Sequence, residues 1–182
     1  MSFNTHIMNL TFIRHTSVAV APAICYGQSD VNLAPTFESE ARQVVSKLQQ
    51  TPFDAVYCSP LSRCRKLAAY CGYPEPVIDD RLLELNFGDW EMKAWPDIQD
   101  PQLQLWYDDW LHVTPTHGEA FTTMVSRVEE FLTDLKKQPF QEVVIFTHAG
   151  VIRSAGIIAG TFSAAEAFDF KIGYGETFKI AL

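Results

Sequence analysis

Three short polar clusters attract attention because each directly follows an apolar stretch with the length of a buried strand. They occupy residues 14–16 (RHT), 59–63 (SPLSR) and 147–149 (THA). The carboxyl ends of parallel strands meet at one edge of a sheet, so clusters far apart in sequence are able to converge there. Helix N-termini attract anions, and each guanidinium binds a phosphoryl group through two hydrogen bonds. The sequence therefore predicts a dianion site built from Arg14, His15, Arg63 and His148.

The apolar stretches and the amphipathic segments between them predict alternating strands and helices. Such alternation is typical of an α/β fold with a largely parallel sheet, and no linker or internal repeat interrupts it. Strands are predicted at 7–13, 54–58, 77–78, 142–147 and, as a returning edge strand, 176–182. Helices are predicted at 37–50, at 59–71 with Ser59 as cap and Pro60 as first residue, at 94–111 in large part, at 119–137 and at 151–159.

Composition limits the partners and the compartment. The chain has 182 residues, 47% of them hydrophobic, and a formal net charge of −8, which suits one compact domain and argues against a general binder of nucleic acid or membrane surfaces. The four cysteines form no C-x-x-C pair and no zinc motif, and Cys64 and Cys71 lie too far apart on the predicted helix for a disulfide. The N-terminus has no secretion signal, so we predict a cytoplasmic protein with reduced thiols.

The chain resembles the histidine phosphatase superfamily, also called the phosphoglycerate mutase-like family, over nearly its whole length. The resemblance rests on FIRHTSV, CYGQSDVNLA, YCSPLSRCRKLA, DDRLLELNFGDWE, GEAFTTMVSRV and VVIFTHAGVIR, which occur in the family's order and spacing. It implies a three-layer α/β/α sandwich forming a single domain over 1–182, with a short cap insertion around 85–117. It also implies a phosphatase that works through a phosphohistidine intermediate, with no metal or other cofactor.

The resemblance implies a role for each matched catalytic residue. His15 matches the nucleophile, Glu84 matches the proton donor, and His148 matches a second histidine at the phosphate. Arg14 and Arg63 match the two arginines that hold the phosphoryl oxygens.

Three further residues are predicted to contact the phosphate. Gln28 lies where the family's loop approaches it, and Ala149 directly follows His148. Thr16 replaces the glycine of the family's Arg-His-Gly motif and adds a hydroxyl beside the phosphate, and Met92 likewise replaces a motif glycine.

Other charged and aromatic side chains are predicted to have ordinary structural roles. We expect surface or ion-pair roles for four arginines, no catalytic role for three histidines, and mainly core positions for the tryptophans, some of which would shape a pocket under the cap. These residues are Arg65, Arg81, Arg127 and Arg153; His6, His112 and His117; and Trp90, Trp95, Trp106 and Trp110.

The Arg-His-Thr variant and the CYGQSDV segment most resemble the alpha-ribazole phosphatase branch of the superfamily. That resemblance implies a small-molecule partner, alpha-ribazole 5'-phosphate, in cobalamin nucleotide-loop assembly. The alternatives are a broad-specificity phosphatase, a phosphoglycerate mutase, which is usually longer, and a non-catalytic phosphoryl-binding module. The sequence predicts no oligomeric state.

Overall fold

The centre of the molecule is a five-stranded sheet. The computed structural model describes residues 7–48 and 51–182, so His6 and the last two residues of the helix predicted at 37–50 lie outside the described part. The strands lie in the order β3-β2-β4-β1-β5, with β5 antiparallel to β1 and the other neighbours parallel. They are β1 (Asn9–Arg14), β2 (Ala55–Cys58), β3 (Val77–Ile78), β4 (Glu142–Thr147) and β5 (Thr177–Ala181). The largely parallel sheet and the returning edge strand are confirmed.

Six α-helices are present in the described part of the chain. They are α1 (Phe37–Leu48), α2 (Ser62–Tyr70), α3 (Pro101–Asp108), α4 (Phe121–Leu135), α5 (Ala149–Ile158) and α6 (Ala164–Ala167). Short 3-10 turns occur at Asp80–Leu82, Gly88–Trp90 and Trp95–Asp97. Among the described residues, no helix is both long and apolar enough to cross a membrane.

The central strands bury side chains on both faces, which makes three layers. In β4, Val143 and Ile145 join the core formed with α4 and α5, whereas Val144 and Phe146 join the core formed with α1 and α2. Successive residues of a strand point to opposite faces, so this VVIF run serves both cores. The predicted three-layer α/β/α sandwich is confirmed.

Helix α2 begins later than predicted. The backbone N–H of Ser59 still donates to the Phe146 carbonyl at 2.9 Å, so the chain follows β4 one residue beyond Cys58. Leu61, in extended conformation, is the N-cap residue. The prediction of Ser59 as cap and Pro60 as first helical residue was wrong because the pairing of β2 continues through Ser59.

The segment predicted to be helical at 94–111 contains a shorter helix. Trp95–Asp97 forms a 3-10 turn, and α3 begins at Pro101, where the Asp100 carboxylate accepts from the Gln102 N–H at 2.9 Å. Proline lacks an N–H donor and suits the first helical position, so Pro101 sets this start. Trp90, Ile98 and Trp106 form a separate apolar cluster with Cys25, which fixes this segment against the loop that follows β1.

Candidate active site

His15 lies immediately after β1, and its ring is held in one orientation. Its side chain is buried, and its Nδ1 lies 2.7 Å from the Thr16 carbonyl oxygen. A carbonyl oxygen only accepts, so Nδ1 carries the proton and donates it to this bond. Nε2 of the neutral ring therefore keeps its lone pair, as a nucleophile requires.

The surroundings of His15 favour the neutral ring. Burial lowers its pKa from 6.5 to about 3, and the Arg63 and Arg14 guanidinium groups contribute to this decrease, whereas the Thr16 carbonyl opposes it. Because the charged form is both desolvated and repelled, His15 is neutral at physiological pH.

His148 stands beside His15 at the start of α5. Their ring centroids lie 5.2 Å apart in an edge arrangement, and His148 Nε2 lies 2.8 Å from the Ser59 hydroxyl. Burial, together with the charge of Arg63, lowers the pKa of His148 well below 6.5. The clusters that follow β1, β2 and β4 therefore meet at one edge of the sheet, as predicted.

Arg14 and Arg63 bring two positive charges to this edge without carboxylate partners. Arg63 is completely buried and donates to the carbonyls of Gly27 and Ser29 at 2.7 and 2.9 Å. Arg14 donates to the Ile172 carbonyl at 2.6 Å. Neither forms an ion pair within 7–48 or 51–182, so their charge is available to a bound anion.

Several buried polar atoms next to His15 lack a hydrogen bond. In the described part of the chain, Nε of Arg14, Nε of Arg63 and Oγ1 of Thr16 have no partner. Most buried polar groups in proteins are paired, so unpaired ones grouped at a single place point to a functional site. The Thr16 hydroxyl is present at this edge, as predicted, but makes no contact that assigns it a role.

Glu84 faces the N-terminus of α5. Its Oε1 accepts from its neighbour Leu85 N–H at 2.9 Å, and its Oε2 lies 3.3 Å from the Gly150 N–H. A Cβ at Gly150 would lie only 2.2 Å from Oε1, so the carboxyl group approaches the helix where only glycine leaves room. The Gln28 amide donates to the Glu84 backbone carbonyl at 3.0 Å, which brings Gln28 beside Glu84.

Glu91 holds the loop that supports Arg63. Its carboxylate accepts from the backbone N–H groups of Gln28 at 2.9 Å, Ser29 at 2.6 Å and Phe87 at 3.1 Å, and from the Ser29 hydroxyl. The same loop supplies both carbonyls that bind Arg63. One carboxylate thus joins the 87–91 segment to the guanidinium position.

A cavity of about 400 Å³ opens beside His15 and Glu84, and aromatic rings form much of its wall. The Trp95 and Trp106 rings stack with centroids 5.6 Å apart. Trp90 is fully buried, which confirms its predicted core position. The other three tryptophans line the cavity, so the pocket role that was predicted for some of the group holds for most of it. The lining includes Arg14, His15, Tyr26, Glu84, Phe87, Trp95, Trp106, Trp110, Phe121, Ala149, Arg153 and Phe168.

Four polar residues at this edge escaped the sequence analysis. Arg81 and Arg127 form ion pairs as predicted, but Arg153 lines the cavity and has no ion pair among the described residues, so its predicted surface or ion-pair role was wrong. Ser59, Glu91 and Tyr26 were also missed. All three lie within segments that carry the family resemblance: Ser59 in YCSPLSRCRKLA, Tyr26 in CYGQSDVNLA and Glu91 in DDRLLELNFGDWE.

The buried neutral histidines predict a loss of stability in acid. In the unfolded chain His15 has its ordinary pKa of 6.5, and in the folded chain its pKa is about 3. Below pH 6.5 the unfolded chain therefore takes up a proton that the folded chain does not, and the free energy of unfolding falls as pH falls. One pH unit below 6.5, His15 alone contributes a loss of about 1.4 kcal/mol.

Urea denaturation at about pH 7.5 and about pH 5.5 measures this loss. The His15→Gln variant should lose less free energy of unfolding than the wild type over the same interval, by about the contribution of one histidine. Equal losses in the two proteins would contradict the assignment of a lowered pKa to His15.

The fold and the site together define a phosphoryl-transfer enzyme of the α/β class. No group of three or more His, Cys, Asp or Glu side chains is arranged to hold a metal within the described ranges. The sequence profile of the histidine phosphatase superfamily (branch 1) matches residues 10–181, and the chain belongs to this family. It is therefore a phosphatase that acts on small phosphate esters.

Known relatives share most of the chain. The adenosylcobalamin/alpha-ribazole phosphatase of Salmonella typhimurium is 31% identical over 92% of this chain and 87% of its own length. The crystal structure of the alpha-ribazole phosphatase from Shigella flexneri superposes with a TM-score of 0.87 and 28% identity, covering 94% of this chain and 89% of that one. Phosphoserine phosphatase 1 of Hydrogenobacter thermophilus is 25% identical over 81% of this chain and 74% of its own length.

Proposed function

We propose that the protein hydrolyses alpha-ribazole 5'-phosphate through a phosphohistidine formed on Nε2 of His15. The observation that carries the proposal is a neutral, buried His15 whose Nε2 keeps its lone pair beside two guanidinium groups without carboxylate partners. This arrangement combines a nucleophile with charge that stabilises the transferring phosphoryl group.

The proposed reaction has two displacements. In the first, Nε2 of His15 forms a bond to phosphorus, the P–O bond of the ester breaks, and Glu84 donates a proton to the leaving oxygen. In the second, Glu84 takes a proton from water, the water oxygen attacks phosphorus, and the N–P bond breaks to release orthophosphate. Arg14, Arg63 and His148 hold the phosphoryl oxygens throughout.

The cavity supports the choice of leaving group. The benzimidazole base of alpha-ribazole is flat and largely apolar, and it suits a pocket of about 400 Å³ walled by Trp95, Trp106, Trp110 and Phe121. The names of the Salmonella and Shigella relatives point to the same substrate. In this proposal, residues 85–117 form the cap of a single catalytic domain, and Gln28 and Ala149 contribute to the phosphate side. The cytoplasmic location stays a prediction.

A substrate panel tests the proposed function. Initial rates are measured in the presence of EDTA with alpha-ribazole 5'-phosphate, phosphoserine, 3-phosphoglycerate and p-nitrophenyl phosphate. The highest kcat/KM is expected for alpha-ribazole 5'-phosphate, with orthophosphate as product. Transfer of the phosphoryl group within 3-phosphoglycerate, without release of orthophosphate, would favour the mutase instead.

The role of Glu84 predicts a dependence on the leaving group. Glu84→Gln is expected to lower kcat for alpha-ribazole 5'-phosphate by roughly 10²- to 10⁴-fold, because an alkoxide leaves poorly without a proton. The loss should be much smaller for p-nitrophenyl phosphate, since nitrophenolate leaves without protonation. Gly150→Ala should show the same selectivity, because its new Cβ displaces the Glu84 carboxyl group.

Gly160→Ala serves as the control for the glycine substitution, since a Cβ there meets no atom within 4 Å. Its backbone has a positive φ of 69°, so a decrease in stability is expected without any selectivity for the leaving group. Equal losses on both substrates in Glu84→Gln would argue against Glu84 as the proton donor.

A further inference from the structure

Arg153 is a half-buried cation in the cavity wall. Within 7–48 and 51–182, its guanidinium donates to a single hydrogen-bond acceptor, the Phe170 carbonyl, through two long bonds of 3.3 and 3.4 Å. No carboxylate lies within ion-pair distance of it in the described part of the chain. A cation removed from water without a strong partner is costly, so the arrangement is explained if a ligand supplies that partner.

The helix places Arg153 on the leaving-group side of the reaction centre. Gly150, in the first turn of α5, contacts the Glu84 carboxyl group, and Arg153 lies three residues further along the same helix. Residues three apart share a helix face and are separated by about 4.5 Å along the axis. Arg153 therefore lies about one turn beyond the group that protonates the leaving oxygen.

Arg153 also differs in position from the arginines proposed to bind phosphate. Arg63 donates to carbonyls of the 27–29 loop, and it is the cation that most strongly lowers the pKa of His148. Burial lowers the pKa of Arg153, and the positive charge of Arg14 adds to this decrease, whereas the Glu84 carboxylate opposes it. Arg153 thus senses the charge of Glu84, the proposed proton donor, and both residues line the same cavity.

We propose that Arg153 is a specificity residue that binds an oxygen on the third carbon from the ester oxygen of the substrate. This inference rests on the proposed function for the identification of the leaving-group side. The backbone of Arg153 lies about one helical turn beyond Gly150, and its side chain lines the same cavity as Glu84. Its long side chain therefore reaches an acceptor a few bonds beyond the leaving oxygen and binds it with a charge-assisted hydrogen bond.

Two kinds of ester carry such an oxygen. In a nucleoside 5'-phosphate it is the 3'-hydroxyl of the ribose, and in phosphoserine it is the carboxylate. The aromatic wall formed by Trp95, Trp106 and Trp110 favours the riboside, because a flat base is needed to fill it. p-Nitrophenyl phosphate has no oxygen at this position and serves as the internal reference.

The test compares Arg153→Met and Arg153→Lys with the wild type on four substrates: alpha-ribazole 5'-phosphate, its 3'-deoxy analogue, phosphoserine and p-nitrophenyl phosphate. Arg153→Met is expected to lower kcat/KM for alpha-ribazole 5'-phosphate by roughly 10- to 100-fold, mainly through KM, as for the loss of one hydrogen bond to a charged group. Turnover of p-nitrophenyl phosphate should change less than about threefold, the variation expected away from such a contact. The kcat/KM of Arg153→Lys for alpha-ribazole 5'-phosphate should lie between those of the wild type and Arg153→Met.

The 3'-deoxy analogue isolates the contact. The kcat/KM of the wild type for this analogue should be lower than for alpha-ribazole 5'-phosphate by the same factor, roughly 10- to 100-fold. On this analogue, Arg153→Met should cause little further decrease in kcat/KM. Arg42→Met is the matched control, because Arg42 is an exposed arginine on α1 and does not line the cavity. Its kcat/KM should equal that of the wild type on all four substrates.

The possible outcomes separate this inference from the proposed function. Equal losses on all four substrates would overturn it, since Arg153 would then act on the phosphate or on the fold. A selective loss on phosphoserine alone would support Arg153 as the residue that binds the oxygen, while the proposed riboside substrate would fail. If only p-nitrophenyl phosphate is turned over, the deciding measurement is the inhibition of that turnover by alpha-ribazole and by serine. Weaker inhibition by either compound in Arg153→Met supports the inference. Unchanged inhibition overturns it.

Discussion

His15→Ala is expected to lower kcat/KM for every phosphate ester by on the order of 10⁴-fold or more. The side chain is buried with one tautomer fixed by the Thr16 carbonyl, and the described site offers no second imidazole with the same geometry, since His148 Nε2 faces the Ser59 hydroxyl. Removing His15 therefore removes the covalent route, while binding through the two guanidinium groups remains. KM should change much less than kcat.

Rapid quenching with an isotopically labelled ester tests the covalent step directly. An acid-labile, base-stable phosphoenzyme should accumulate in the wild type and be absent from His15→Ala. His112→Ala is the matched control, because His112 is exposed and its Nδ1 lies 2.9 Å from Asp109 outside the cavity. A labelled phosphoenzyme in His15→Ala would assign the nucleophile to another residue.

Arg63→Ala is expected to affect both catalysis and folding. The guanidinium is completely buried, and two loop carbonyls, of Gly27 and Ser29, accept its hydrogen bonds. Its removal leaves those carbonyls unpaired and takes one positive charge from the phosphoryl site. We expect kcat/KM to fall by roughly 10²- to 10³-fold and the free energy of unfolding to fall by about 2–4 kcal/mol.

Arg65→Ala is the control that separates effects on the phosphoryl site from effects on helix α2. Arg65 lies two residues away on α2, is exposed, and Arg65→Ala should change neither quantity appreciably. Arg63→Lys keeps the charge but donates in a different geometry, so it should recover part of the stability and little of the activity. Steady-state kinetics and urea denaturation on the same preparations measure both effects. Normal activity in a folded Arg63→Ala would exclude Arg63 from the phosphoryl site.

Much of the fold followed from local patterns. The VVIF run of β4 indicated burial on both faces, and three polar clusters after three apolar stretches indicated convergence at one edge. The helix starts were harder to predict, because they depend on tertiary pairing. Ser59 resembled a cap in sequence, yet its N–H belongs to the ladder with β4.

The site was predictable only in part, for a related physical reason. His15, Arg14, Arg63 and His148 stand at strand ends or helix starts, where position in the chain gives position in space. Arg153 lies within a helix, and nothing local shows that its face of α5 borders the cavity. Whether it has a counter-ion depends on which carboxylates fold nearby, and that information is spread over the whole chain.

The Glu91 carboxylate accepts four hydrogen bonds, and its position limits which residues can change the substrate preference without disturbing the phosphate side. Glu91 fastens the loop beneath Arg63, whereas the stacked rings of Trp95 and Trp106 begin only four residues further along the chain. The carboxylate that holds the Arg63 loop and the rings that line the cavity are therefore separate parts of one segment. Substitution of the exposed edges of Trp95 and Trp110, rather than of the buried Ile98 and Trp106 that pack on Cys25, should therefore reshape the leaving-group pocket with little effect on the loop that holds Arg63. Phosphate binding and substrate selection thus depend on different residues of one segment, and the division between them falls just after Glu91.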